Sequence, residues 1–226
     1  MFYITGDTHR EQARILELYT RLCASRWGVH DYHIVCGDWG FLWENNADEQ
    51  QFLDDMARAS FTFLFVDGNH ENFDALEAYP EEIWHGGRIH RIRPNVIHLM
   101  RGQVFEIEGR TFFTFGGAYS IDIAQRLPGR SWWARESPSD AEYAEARANL
   151  AAHGNKVDYI LTHTCPTSTI VLMGHTPCVQ DLRLTDFLEE VRQTVTYRKW
   201  FFGHWHADKP LFDNMRLLWF DTEAVS

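Results

Sequence analysis

Five apolar runs of strand length share one pattern, and that pattern constrains the fold more than any other feature of this sequence. Each run stops at or just before a glycine or a small polar residue, and an ionisable residue follows directly. The apolar residues are continuous rather than alternating, which is typical of strands buried on both faces of a sheet. The five stretches are FYITGDTH (2–9), HIVCGDWG (33–40), FTFLFVDGNH (61–70), VDYILTHT (157–164) and KWFFGHWH (199–206).

Helix-like segments at residues 10–25 and 47–58 separate the first three runs. Their apolar stripes consist of Ala13, Ile15, Leu16, Tyr19 and Leu22 in the first segment, and of Phe52, Leu53 and Met56 in the second. Strands that alternate with helices predict right-handed crossovers and parallel pairing. Open α/β sheets place their sites at the carboxyl ends of such strands, which is where the ionisable residues fall.

The pattern changes between residues 88 and 121, where the chain breaks into short β-like pieces. These are NVIHLM (95–100), QVFEIEG (103–109) and RTFFTFGG (110–117). Turn signals at Arg101-Gly102 and Glu108-Gly109 predict antiparallel hairpins in a second sheet.

Residues 122–138 are rich in Arg, Trp, Gly and Pro and show no periodicity, so we predict a long loop that covers the substrate. Beyond it, Ser137 or Ser139 is expected to cap a helix that runs to about His153 and ends at Gly154. We also expect a helix over about 181–194 and a closing strand over 215–221. Because no repeat or linker interrupts the chain, residues 1–226 are predicted to form a single domain.

Composition narrows the class of protein. The formal charge of −11 argues against binding long nucleic acid, which requires clustered Lys and Arg. With no run of 18 apolar residues and no basic-then-apolar leader at Met1, we expect a cytoplasmic protein that does not bind membranes. Four scattered cysteines indicate reduced thiols rather than a disulfide framework or a zinc knot; they are Cys23, Cys36, Cys165 and Cys178.

The polar residues at the strand ends suit transition-metal ligation. They are Asp7, His9, Asp38, Asn69, His70, His163, His204 and His206. A mixture of imidazole and carboxylate ligands suits zinc, manganese or iron. Because eight such groups are more than one ion requires, a two-metal site is predicted. We expect the glycines at 6, 37, 68 and 203 to take positive φ or to let backbone approach an ion closely.

The motifs GDTH, GDWG, GNHE, THTCP and GHWH, in this order and after strands, resemble those of the calcineurin-like metallophosphoesterases across residues 5–206. The resemblance implies a four-layer α/β/β/α sandwich of two mixed sheets. It also implies that one ion is held by Asp7, His9 and His206 and the other by Asn69, His163 and His204, with Asp38 shared. His70 matches the family position that is not a ligand and assists at the leaving oxygen.

From this resemblance we expect a phosphoesterase with two divalent ions, manganese before iron or zinc, that acts on a small monoester or diester, including nucleotide-like ones. A hydroxide activated by the ions would attack phosphorus, and a protonated His70 would donate to the leaving alkoxide. A nuclease or cyclic-nucleotide phosphodiesterase remains an alternative. A catalytically silent metal-bound scaffold is an alternative of another class. The sequence does not decide the oligomeric state.

Several residues carry competing interpretations. His175 also follows an apolar run and glycine, but His163 is preferred because it ends a clear strand. Asp67 would orient His70 or cap its loop. Aromatic side chains that would contact a substrate are Tyr119, Trp132, Trp133 and Trp205, although a core position is their default interpretation. Arg10, Arg130 and Arg135 would clamp a phosphate, although solvated surface charge is their default interpretation. The remaining histidines are interpreted as structural: His30, His33, His85, His90, His98 and His153.

GDWGFLW lacks the Asp and Arg of the protein phosphatase branch, so protein phosphatase activity is not expected.

Overall fold

Two mixed β-sheets form the centre of the molecule in a computed structural model that describes residues 1–16 and 28–226. Within these ranges the strands are β1 (Phe2–Thr5), β2 (Tyr32–Cys36), β3 (Thr62–Val66), β4 (Glu81–Trp84), β5 (Gly87–Arg93), β6 (Val96–Leu99), β7 (Gln103–Ile107), β8 (Arg110–Phe115), β9 (Tyr159–Thr162), β10 (Lys199–Phe202), β11 (Lys209–Pro210), β12 (Met215–Leu217) and β13 (Thr222–Val225). The helices with defined bounds are α1 (Ala47–Met56), α2 (Phe73–Leu76), α3 (Asp140–Ala152), α4 (Thr167–Leu172) and α5 (Leu182–Thr194).

The first sheet has the order β13-β1-β2-β3-β6-β5-β4. β1, β2 and β3 run parallel, with Ile4 beside Ile34 and Ile34 beside Leu64. The parallel crossovers predicted from the first three apolar runs are therefore confirmed. The terminal strand β13 pairs antiparallel with β1, and the β4–β5 hairpin closes the other edge.

The second sheet has the order β11-β12-β10-β9-β8-β7 and is also mixed. The β7–β8 hairpin turns at Glu108-Gly109, where both residues have positive φ, as the turn signal predicted. The prediction of a hairpin at Arg101-Gly102 is wrong. β6 lies in the first sheet and β7 in the second, so the chain crosses between sheets at that turn.

Apolar side chains join the two sheets and the outer helices into four layers. Between the sheets, Ile34 and Leu64 of the first sheet pack in one cluster with Phe112 and Phe201 of the second. Complete burial of each such side chain contributes roughly 1.5–3 kcal/mol. The α/β/β/α sandwich implied by the resemblance is confirmed.

The outer layers bury the opposite faces of the same strands. On the first sheet Val35, Phe63 and Phe65 meet Phe52, Leu53 and Met56 of α1. On the second sheet Phe113, Phe115 and Trp200 meet side chains of α3 and α5, including Leu150, Phe187 and Leu188. Both faces of each central strand are thus covered, which explains why the apolar runs do not alternate.

The helix predictions are largely confirmed. Ser139 caps α3 and forms a capping box with Glu142, while Gly154 follows the helix at φ 64°. α1 and α5 occupy the predicted segments. For the predicted helix at 10–25, residues 12–16 are helical, and Tyr19 and Leu22 lie outside the described residues.

Two further predictions are partly correct. The segment 122–138 is mainly irregular, with short 3₁₀ turns at Ile123–Gln125 and Ala134–Glu136. The strand predicted over 215–221 ends at Leu217, and the chain resumes as β13 after a break.

Cys36, Cys165 and Cys178 are free thiols, as expected, and Cys23 lies outside the described residues. In the described part of the chain no helix has both the length and the apolar character to cross a bilayer.

Candidate metal centre

The carboxyl ends of β1, β2 and β3 in one sheet and of β9 and β10 in the other meet at one rim of the sandwich. The residues that follow these strands form two overlapping groups whose ligand atoms lie within 4.8 Å of one another. One group contains Asp7, His9 and His206, and the other contains Asp7, Asp38 and His163. Side chains up to 199 positions apart in the sequence therefore share one site.

The first group converges on one carboxylate oxygen. His206 Nε2 lies 3.2 Å from Asp7 Oδ2, and His9 Nε2 lies 3.7 Å from the same oxygen. The two Nε2 atoms are 2.9 Å apart. Two imidazole nitrogens and a carboxylate oxygen thus face a common point. This set of donor atoms is suited to a divalent transition metal.

The second group surrounds His163, which is fully buried. Its Nε2 lies 3.0 Å from Asn69 Oδ1 and 3.3 Å from His204 Nδ1. Its Nδ1 lies 2.9 Å from the carbonyl oxygen of Cys36, so Nδ1–H donates there and Nε2 is directed at the site. The structure thus brings Asn69, His163 and His204 together.

Asp38 belongs to the second group and also faces the first. Its Oδ2 is 3.7 Å from His9 Nε2, and its Oδ1 is 3.4 Å from His163 Nε2. One carboxylate therefore presents one oxygen to each group, which is the arrangement that a shared ligand requires.

Strong electrostatic coupling accompanies this burial. Burial alone would raise the pKa of Asp38, but the nearby rings of His163, His70 and His9 hold it well below its usual range. Burial opposes the charged form of His163, yet the carboxylates of Asp38 and Asp7 raise the pKa of its ring above the usual value. In the metal-free protein a proton on His163 thus takes the place of positive charge that a bound cation would supply.

Backbone groups fix the carboxylates in place. The backbone N–H of His204 donates to both oxygens of Asp7, at 2.9 and 3.1 Å, and the N–H of His70 donates to Asp38 Oδ1 at 2.7 Å. Because each donor belongs to a residue of a different strand-end motif, the motifs hold one another in register.

The glycines beside the site serve mainly for close approach. A Cβ at position 68 would lie 2.0 Å from Asp38 Oδ1, and one at 203 would lie 2.0 Å from Asp7 Oδ1. A Cβ at 37 would lie 2.1 Å from His163 Nδ1. Of the four glycines 6, 37, 68 and 203, only Gly37 has positive φ, so that part of the sequence expectation is wrong for the other three.

The left-handed backbone occurs instead at the polar residues themselves. His9, Asp38, His204 and His206 have φ between 45° and 68°. Such a conformation costs of order 1–3 kcal/mol per non-glycine residue and is concentrated at functional sites.

His70 stands beside the two groups rather than within them. Its ring centroid is 5.3 Å from that of His9, and burial lowers its pKa. Neither interpretation of Asp67 is correct, because its carboxylate accepts from Arg101 Nε at 2.8 Å and lies 3.2 Å from His98 Nε2. The ring of His70 is instead contacted by Arg126, which the sequence analysis did not identify.

Two further supporting residues were missed because no motif marks them. Asn69 Nδ2 donates to Ser120 Oγ at 3.1 Å, and Ser120 Oγ donates to Glu136 Oε2 at 2.5 Å. These two hydrogen bonds orient the Asn69 amide so that its oxygen is the atom directed at His163. Burial raises the pKa of Glu136 to about 7.

Glu71, the last residue of GNHE, also has a structural role that was not foreseen. Its carboxylate accepts from the backbone N–H groups of Trp39 and Gly40, at 2.8 and 3.1 Å. It thereby ties the GDWG turn to the GNHE turn and fixes the position of Asp38.

A cavity of about 560 Å³ opens onto the site. Its lining includes Asp38, Asn69, His70, His204 and His206, together with Tyr119, Arg126, His175 and Trp205. His175 packs against Trp205, with ring centroids 4.8 Å apart, and belongs to neither ligand group.

The other candidate contact residues lie elsewhere. Trp133 is buried and donates from Nε1 to Asp74. Arg135 pairs with Asp74 and Glu77, Arg10 lies near Glu44, and Arg130 is exposed.

The histidines interpreted as structural make ordinary contacts. His90 and His98 stack with Nδ1 atoms 3.0 Å apart, His33 Nε2 lies 3.1 Å from Thr5 Oγ1, and His153 caps α3.

A search for curated relatives found no match. The family model described as calcineurin-like phosphoesterase matches residues 1–208 and so includes both ligand groups and His70. The chain therefore belongs to the calcineurin-like phosphoesterase family.

Proposed function

We propose that this chain is a two-metal phosphoesterase that hydrolyses a small phosphate ester. Membership of the family points to metal-dependent phosphoester hydrolysis. The observation that carries the proposal for this chain is the placement of Asp38, whose two oxygens face two different histidine groups 3.4 and 3.7 Å away. A buried carboxylate placed in this way is suited to bridge two ions.

In this proposal one ion is held by Asp7, His9 and His206, and the other by Asn69, His163 and His204, with Asp38 between them. The mixture of imidazole nitrogens and hard oxygens favours manganese, iron or zinc over magnesium or calcium. When bound, two such ions lower the pKa of a shared water and stabilise negative charge on phosphoryl oxygens.

The protein supplies orientation and a proton donor. His70 lines the cavity beside His9, so it is within reach of an ester that occupies the site. Its pKa is lowered by burial in the free protein, and an anionic ester beside the ring would raise it. In this way His70 would become protonated when substrate binds and would then donate to the leaving oxygen.

The test combines metal analysis with two variants. In manganese, wild-type protein is expected to bind two ions and to hydrolyse p-nitrophenyl phosphate or bis(p-nitrophenyl) phosphate. His70→Asn should retain both ions and lose roughly 10²–10⁴-fold in turnover, the range for a general acid. Asp38→Asn should lose metal.

Two results would contradict the assignment. Wild-type rates in both variants would show that neither residue acts as proposed. Two bound ions without turnover on a broad panel of phosphate esters would favour the scaffold alternative.

A further inference from the structure

Arg126 extends from the loop 122–138 to the proposed catalytic histidine. Its Nη2 lies 2.9 Å from Nε2 and 3.1 Å from Nδ1 of His70, and it lines the cavity above the metal centre. Only 10% of its side-chain surface is exposed. The guanidinium is thus largely withdrawn from solvent, and its Nη2 is the nitrogen that is directed into the cavity.

The guanidinium is held in place by its own loop. Nε pairs with Asp122 Oδ1 at 2.8 Å, and Nη1 donates to the carbonyl oxygen of Ser131 at 3.2 Å. Two of its three nitrogens are thus fixed, and the third is presented to the site. This arrangement resembles a preorganised anion-binding group more than a mobile surface charge.

His70 can satisfy at most one of the two N–H groups of Nη2. The lone pairs of the two nitrogens in one imidazole ring diverge, so an N–H group at similar distances from both cannot be aligned with both. The contact is therefore a resting position that an anion between the two side chains would replace.

We propose that Arg126 binds the phosphoryl group and makes this site selective for phosphate monoesters. The proposal rests on the proposed function above. A monoester carries three non-bridging oxygens, whereas a diester carries two. If two oxygens face the two ions, only a monoester retains a third for the guanidinium, and its second negative charge strengthens that hydrogen bond.

The other arginines that the sequence analysis considered do not compete for this role. Arg10 and Arg135 lie near surface carboxylates, and Arg130 is exposed outside the cavity lining. Arg130 shares the loop with Arg126, so Arg130→Ala is a matched control that removes the same side chain from the same segment.

The experiment compares wild type, Arg126→Ala, Arg126→Lys and Arg130→Ala, each loaded with manganese and checked for metal content and melting temperature. Inorganic phosphate binding is measured by calorimetry, and kcat/KM is measured on p-nitrophenyl phosphate and bis(p-nitrophenyl) phosphate. For Arg126→Ala we expect about 10- to 100-fold weaker phosphate binding, as for loss of a hydrogen bond to a charged group. The ratio of monoester to diester kcat/KM should fall by a similar factor.

Arg126→Lys should fall between wild type and Arg126→Ala because it retains the charge without the fork, and Arg130→Ala should match wild type. The inference is overturned if Arg126→Ala binds phosphate normally. It is also overturned if both esters slow equally or if the loss follows metal content. If manganese-loaded wild type hydrolyses neither ester, the proposed function fails, and the phosphate titration still decides whether Arg126 binds the anion. Should Arg126→Ala unfold, the comparison between Arg126→Lys and wild type decides in its place.

Discussion

Replacing Gly68 with alanine tests whether Asp38 is a metal ligand without changing any polar atom. A Cβ at this position would lie 2.0 Å from Asp38 Oδ1, whereas real Cβ contacts do not fall below 3.0 Å. Asp38 and residue 68 must therefore separate by at least 1.0 Å, the difference between these distances. Metal–ligand bonds tolerate only about 0.2 Å, and a misplacement of about 1 Å costs roughly 10²-fold in rate.

We therefore expect Gly68→Ala to lose at least one ion and to reduce kcat/KM at least ~100-fold. Strain from the added methyl group should lower the free energy of unfolding by about 1–3 kcal/mol. The assays are manganese content after gel filtration, turnover of both p-nitrophenyl esters, and thermal melting.

Gly28→Ala provides the matched control. No atom of the described residues lies within 4 Å of its Cβ position, so the same added methyl group should leave all three measurements unchanged. A Gly68→Ala protein that retains two ions and wild-type turnover would refute the assignment of Asp38 as the shared ligand.

Three other predictions concern the groups around the site. Ser120→Ala removes the hydroxyl that accepts from Asn69 Nδ2. Calorimetry should then show that the second ion binds about 10–100-fold more weakly. An unchanged affinity would show that the Asn69 amide needs no such support. Against the effect of burial, the carboxylates of Asp38 and Asp7 raise the pKa of His163 to about 10, so its ring holds a proton that an ion must displace. Metal affinity should therefore increase as pH rises from about 6 to about 8. Titrations in buffers of different ionisation enthalpy should show proton release on binding, and no release would contradict the proton on His163. Arg101→Met removes the guanidinium from the buried carboxylate of Asp67, which then keeps its 3.2 Å contact with His98 Nε2. The free energy of unfolding, measured by urea denaturation, should fall by about 3–5 kcal/mol, and a loss below about 1 kcal/mol would count against a buried ion pair.

The fold was predictable from the sequence where strands are buried on both faces. β2 and β10 give continuous apolar runs, and each run ends where the strand ends. β4 and β13 were missed because they are edge strands, half-exposed along their length, and their sequences EEIW and TEAV carry no apolar run. The crossing at Arg101-Gly102 was misread because a glycine turn specifies a local bend and not the sheet that the next strand joins.

Residues of the candidate site were predictable when they lie within a strand-end motif. Arg126, Ser120 and Glu136 lie in irregular segments, and only the folded chain brings them near His70 and Asn69. The same limit explains why the residues with left-handed φ were predicted wrongly. A sequence pattern assigns left-handed φ to glycine, whereas here the packing of the motifs imposes it on Asp38 and the histidines.

A protein with a formal charge of −11 requires a local reason to attract a phosphate ester. Long-range repulsion from surface carboxylates is screened beyond about 8 Å at physiological ionic strength, so it acts weakly at the cavity. Two divalent ions in the cavity would carry more positive charge than the negative charge of Asp7 and Asp38. Arg126 adds a further cation, and its counter-ion Asp122 contacts Nε rather than the site. Because these charges are buried and little screened, the local field decides which ligand enters. If the site holds the two proposed ions, the acidic surface and a cationic site are compatible, and together they would favour small anions over long nucleic acid, which would also meet the repulsive surface.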